Sequence, residues 1–227
     1  MKIVYAFIFL LSICACNSNT NSNSNKEAAS AVSKDDTTLA HNARIIFTTC
    51  TACHGNNAEG NRALNAPALV NQDAWYLENQ IRNFKAGIRG TDASDSLGLR
   101  MATMARTLTD TLTIKALLAY IKTFKPTGTS TTVTGDIQAG MSHYNMICGA
   151  CHGPGAEGNK ELGSPKLIGI NDWYLERQLL NFKNGIRGSH PDDKAGAQMK
   201  QMVTTLKDEQ AVKDVVVYIQ SLQQKSL

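Results

Sequence analysis

Apolar positions along this chain fall into three patterns. Residues 3–13, "IVYAFIFLLSI", form one short apolar run behind a Met-Lys start. Residues 17–38 then hold Asn, Ser, Thr, Ala, Lys and Asp with almost no apolar side chains. From residue 40 onward, apolar positions return three and four apart, the spacing of one helix face. The segments 40–50 and 137–148 show it, as do Trp75, Leu77, Ile81 and Phe84, where Gly87 supplies a stop. Leu112, Leu117, Leu118 and Ile121 form a third stripe, with Thr109 or Asp110 placed to cap it. No alternating strand pattern or Asn-Gly hairpin competes. The expected fold is all-α, with a few helices per unit and long loops between them. Such loops exceed what a small bundle tolerates unless something packs inside them.

The pattern repeats. "WYLENQIRNFKAGIRG" at 75–90 answers "WYLERQLLNFKNGIRG" at 173–188, and Cys50/Cys148, Pro67/Pro165, Met101/Met199 and Tyr120/Tyr218 all stand 98 residues apart. The two halves align without a gap from Cys50 to Tyr120. Residues 126–135, "PTGTSTTVTG", read as a linker. The organisation is therefore a leader at 1–15, a tether at 16–38, a first domain at 39–125, the linker, and a second domain at 136–227.

Composition adds three points. Aromatic residues make up only 6% of the chain, so each small core must gain volume elsewhere, as from a large cofactor. The net charge of +4 is modest, and no basic run or aromatic stripe points to nucleic acid. The apolar run at 3–13 is too short to cross a bilayer and reads as a secretory signal. Ala15-Cys16, closing that run before a polar tether, resembles the lipobox of bacterial lipoproteins. It predicts an exported protein with a lipid on Cys16.

Chemistry concentrates in "CTACHG" at 50–55 and "CGACHG" at 148–153. Cys-x-x-Cys-His marks covalent haem attachment. Cysteines at i and i+3 share one side of a helical turn and reach two vinyl groups of one porphyrin, while the next histidine faces the iron. Cys50, Cys53 and His54 would hold one haem c, and Cys148, Cys151 and His152 a second. A zinc ribbon pairs such units over a far shorter interval than 98 residues. A thioredoxin-like motif needs a βαβ setting, and plain disulfides leave both histidines unexplained. Methionine suits the far side of an electron-transfer haem. Met101 and Met104 follow the first motif, and Met199 and Met202 hold the matching places after the second. Spacing alone does not choose within either pair.

Together, "CTACHGNNAEGN", "PAL", "WYLENQIRNFKAGIRG", "MATMARTLTD" and "LLAYIKTF" resemble a class I cytochrome c, and the doubling is similar to the dihaem cytochrome c-four type. The resemblance covers roughly residues 40–125 and 136–224. It implies iron ligation by His54 with Met101 and by His152 with Met199, the ligand methionine standing seven residues before Leu108 or Leu206, which would open the last helix. It implies that the Pro67 and Pro165 carbonyls orient the ligand histidines. Trp75 and Trp173, with Tyr76 and Tyr174, are expected to line the haem crevices, and Arg89 and Arg187 to bond haem propionates. The segments "TDASDSLGLR" and "SHPDDKAGAQ" differ most between the halves, so the two haems are expected to differ in exposure and potential. Gly140, Tyr144 and Cys148 keep the family's Gly/aromatic/Cys spacing, whereas Asn42 and Ile46 replace its first two members in domain one.

The implied activity is single-electron transfer between a quinol-oxidising complex and a terminal oxidase or reductase, with no bond chemistry by the polypeptide. A dihaem peroxidase is the rival. It needs an open distal position, against which a methionine in each half argues. A haem-based redox sensor would need an output domain, and none is visible.

Overall fold

The computed structural model describes residues 34–224, so the leader, Cys16 and the tether up to residue 33 lie outside the described residues. Helix α1 (Lys34–His54) starts inside the stretch whose composition reads as tether and runs through the whole first cysteine motif. It is followed by α2 (Ala74–Lys85), α3 (Ser96–Arg106) and α4 (Thr111–Ile121). Asp110 is the cap that starts α4, its carboxylate accepting the Thr113 N–H at 2.8 Å. Helix α2 is capped at Ala86, beyond which Gly87 takes a left-handed φ of 73°. Phe47 of α1 packs with Ile114, Leu117, Leu118 and Ile121 in the first core.

The second half repeats this plan. Helix α5 (Ile137–His143), a π-helical turn (Tyr144–Cys148) and α6 (Gly149–His152) together replace α1. Then come α7 (Asp172–Lys183), α8 (Lys194–Val203) and α9 (Glu209–Gln224). Gly140 lets α5 cross α9 at backbone contact, because a Cβ there would overlap the Asp214 carbonyl. Val212, Val215, Val216 and Ile219 of α9 form the core with Tyr144. Among the described residues there is no sheet. Isolated bridges between Asn61 and Ala66, and between Asn159 and Ser164, pinch the loop after each cysteine motif. No helix among the described residues is long and apolar enough to cross a membrane.

Two expectations need correction. The stretches 91–100 and 189–198, expected among the long loops, lie only half in loop: from Ser96 and Lys194 the chain winds into the helices α3 and α8. Their apolar stripe is short and small: Ala102 and Ala105 are the buried positions of α3 besides Gly98. Their starts are instead fixed by Asp95 and Asp193, which accept the N–H groups of Gly98 at 2.8 Å and Gly196 at 2.9 Å. Leu108 and Leu206 do not open the last helices. They are buried in the turns just before them, and α4 and α9 begin at Thr111 and Glu209.

Candidate haem-binding sites

Each domain encloses a cavity, of about 350 Å³ in the first and about 380 Å³ in the second. Cys50, Cys53 and His54 line the first, delivered by the last turn and a half of α1. Cys148, Cys151 and His152 line the second from the π turn and α6. None of these four thiols is paired in a disulfide. Burial pushes the Cys148 thiol up to about 11 and raises that of Cys50, so neither is a ready thiolate.

The histidines are the most constrained members. His54 Nδ1 lies 2.8 Å from the Pro67 carbonyl oxygen, and His152 Nδ1 lies 2.7 Å from that of Pro165. A carbonyl only accepts, so Nδ1 carries the hydrogen in both rings and Nε2 keeps its lone pair. Burial lowers both imidazole pKa values, which favours the neutral form that ligates a metal. The loop carrying each proline is tied back in turn, with the Gly60 N–H donating to the His54 carbonyl at 2.7 Å and the Gly158 N–H to that of His152 at 2.8 Å.

The methionines line the same cavities as the cysteines. Met101 and Met104 of α3 both line the first cavity, and Met199 and Met202 of α8 both line the second. They differ in depth. Met101 is partly buried and packs against Phe84, Ala102 and Ala105, while Met104 is exposed; Met199 is partly buried, while Met202 is exposed. Helix α3 is held close to the end of α2 by Gly90, at φ 75°, where a Cβ would collide with the Gly98 carbonyl. The Lys85 ammonium donates to the Leu108 carbonyl beyond α3, and Lys183 does the same to Leu206 beyond α8.

The two cavities meet at the domain interface. Tyr76, Gln80, Tyr174 and Gln178 line both. Arg89 donates to Gln80 Oε1 at 2.6 Å, to the Tyr174 hydroxyl at 3.1 Å and to Gln178 Oε1 at 2.8 Å. Arg187 reciprocates, donating to Gln178 Oε1 at 2.8 Å and to Gln80 Oε1 at 3.1 Å. The Nε–H of each arginine is buried without a partner among the described residues. An unpaired buried donor costs about 1–3 kcal/mol, and both arginines line the cavities. A carboxylate on a cavity-filling cofactor would supply the missing acceptor. With apolar walls, paired thiols and a free Nε2, the residues present fit a haem in each domain.

The tryptophans separate. Trp75 lines the cavity of the second domain rather than its own, stacked edgewise on Tyr76 at 5.8 Å. Trp173 lies outside both linings, with the Arg62 and Arg177 guanidinium groups 4.9 and 5.2 Å from its ring. Its expected place in a crevice is corrected accordingly: those two cations cover its faces instead. Arg177 is a cavity-lining residue that the sequence reading missed. Only its offset of 98 residues from an asparagine, Asn79, marks it in the sequence.

Known proteins carry the same pattern. The family model described as Cytochrome c matches residues 40–125 and again 137–223. Cytochrome c4 of Azotobacter vinelandii is 32% identical over 155 residues, covering 63% of this chain and 72% of its own. The "thiosulfate dehydrogenase electron acceptor" of Thiomonas intermedia (strain K12) is 31% identical over 156 residues, 63% of this chain and 66% of that protein. The crystal structure of reduced cytochrome c4 from Pseudomonas stutzeri superposes with a TM-score of 0.59 at 25% identity, covering 80% of this chain and 97% of that one. A family match in each half, on the two Cys-x-x-Cys-His motifs, means two covalently bound haem c groups. The chain belongs to the cytochrome c family, as two such domains in tandem.

Proposed function

We propose that this protein is a dihaem electron carrier, ligated by His54 with Met101 and by His152 with Met199. Bound haem supplies a reversible one-electron iron couple. The chain's own residues do the rest. Each histidine is locked by a backbone carbonyl, each methionine is offered from a short capped helix, and the buried arginines hold acceptor oxygens at the interface. A carrier needs this rigidity, so that little rearranges between oxidation states. The observation that carries the reading is the duplicated Nδ1–carbonyl bond, which leaves two Nε2 atoms free to ligate a metal in cavities sharing one wall.

The relatives point to the class of partner. One is named as the electron acceptor of a thiosulfate dehydrogenase, and another as a cbb3-type oxidase subunit of Rhizobium leguminosarum bv. viciae. By analogy, the donor here is a substrate dehydrogenase or quinol-oxidising complex and the acceptor a terminal oxidase or reductase. We place the protein outside the cytoplasmic membrane, held by lipid on Cys16. An optical redox titration with haem content measured on the same sample tests the core of this. Two reversible one-electron steps with two haems per chain are expected. A haem that binds carbon monoxide fully when reduced marks an open site and favours the peroxidase reading. Cys16→Ser should release the protein from membranes with both haems intact, and native protein that is soluble and lacks Cys16 would remove the anchor alone.

A further inference from the structure

The wall shared by the two cavities is nearly symmetric, and one position breaks the symmetry. Helices α2 and α7 each lend side chains to the opposite domain. Asn79 of α2 lines the second cavity, and its repeat counterpart Arg177 of α7 lines the first. Arg177 is held in place. Its Nη2 donates to the Asn65 carbonyl at 3.0 Å and its Nη1 to Asn65 Oδ1 at 3.3 Å. Its guanidinium lies 5.2 Å from the Trp173 ring and 5.4 Å from the Tyr174 ring. Asn65 itself lines the first cavity, two residues before the proline that orients His54.

The remaining charges do not reproduce it. Arg89 and Asp95 in the first cavity have Arg187 and Asp193 as counterparts in the second. Beyond these, the first cavity holds Arg100 and Arg177 and no further acid, while the second holds Lys166 and Lys194 with Asp192. Lys194 and Asp192 are exposed and so screened by water. Lys166 is half-buried like Arg177, but among the described residues no hydrogen bond fixes its ammonium, so Arg177 is the cation held in place. A ferric haem carries one more positive charge than a ferrous haem. A fixed cation in a water-poor wall therefore favours the ferrous form, most for the nearer haem.

We propose that Arg177 is a potential-setting residue acting across the domain boundary: a cation from the second domain that biases the one-electron-reduced protein toward the first haem. The proposal rests on the dihaem carrier reading. It goes beyond an expectation of unequal potentials by naming the residue, the haem it acts on and the sign.

The test is a redox titration of the holoprotein followed by NMR. Each haem is assigned through contacts of its thioether groups with Cys50 and Cys53 or with Cys148 and Cys151. Arg177→Gln should lower the ratio of reduced first haem to reduced second haem by about tenfold, equivalent to about 59 mV for one electron. Arg177→Lys should restore most of the wild-type ratio, and Asn79→Arg should shift it toward the second haem. An unchanged ratio in Arg177→Gln, an equal fall in both haems, or a lysine variant as altered as the glutamine variant overturns the proposal. A wild-type protein lacking two reversible steps defeats the carrier reading instead, and the two failures are thus distinct.

Discussion

Met101 and Met104 stand one helical turn apart on α3 and line the same cavity, yet only Met101 is partly buried. Depth supports the proposed Met101 ligand where spacing does not choose, because a thioether reaching iron must leave water. Met101→Ala should remove half of the near-infrared Met–iron absorption and open one haem to carbon monoxide; Met199→Ala should do the same for the other. Met104→Ala should leave the band intact, and loss of the band in that variant would transfer the assignment. A second residue-scale prediction concerns Asp172, which is fully buried. Its carboxylate accepts the N–H groups of Thr132, of Val133 at 2.7 Å and of Trp173 at 2.7 Å, and the Thr132 hydroxyl at 3.0 Å. It thereby fastens the linker to α7. Its counterpart in the first half is Ala74, which has no carboxylate. Asp172→Ala strands several buried donors and should cost at least about 3 kcal/mol in denaturant unfolding, whereas Asp172→Asn, keeping one acceptor, should cost less.

At the scale of elements, the N-terminal rods show how a repeat absorbs a shift. In the first domain the core ring is Phe47, three residues before Cys50, and it packs 5.6 Å from Tyr120. In the second it is Tyr144, four residues before Cys148, and it packs 5.4 Å from Tyr218. The π turn lies over that extra interval, its wider winding bringing the earlier residue to the same place. The Gly/aromatic/Cys spacing shows which residues matter here, but no periodicity rule predicts a π turn. Helices α3 and α8 were illegible for a related reason, since their inner faces meet the cavity and only a small apolar cluster, Phe84 with Ala102 and Ala105 in the first domain. The outer helices, the repeat and the cysteine motifs were legible because periodicity and covalent chemistry both write directly into sequence. The crossing of side chains between domains was not, because it depends on how the halves dock. Lys85 gives an element-scale prediction. It ties the end of α2 to the turn beyond α3, so Lys85→Met should loosen α3 and weaken the Met–iron band of one haem while leaving both haems attached.

Across the whole molecule, charge divides the two domains more than fold does. Residues 40–125 carry ten Lys and Arg against six Asp and Glu, whereas residues 137–223 carry nine against nine. The cavity mouths share exposed apolar pairs, Leu64 with Met104 and Leu162 with Met202. Exposed Arg100 lines the first, and exposed Arg62 and Arg106 stand two residues from Leu64 and Met104 in sequence; the matching places in the second hold Gln198, Lys160 and Thr204, and its lining adds the exposed pair Lys194 and Asp192, which offset each other. An apolar centre with a basic rim suits an acidic partner, and rim charges act mainly on the rate of encounter. An acidic donor protein should therefore reduce this cytochrome fastest at low ionic strength, entering by the first domain. Arg100→Glu should slow the second-order rate several-fold at low salt, and the difference should shrink as salt approaches 1 M, where the Debye length falls to about 3 Å. Gln198→Glu, the matching change at the second mouth, should have little effect. Stopped-flow reduction over a salt series measures all three proteins, and equal slowing by both substitutions would mean that the partner does not distinguish the domains.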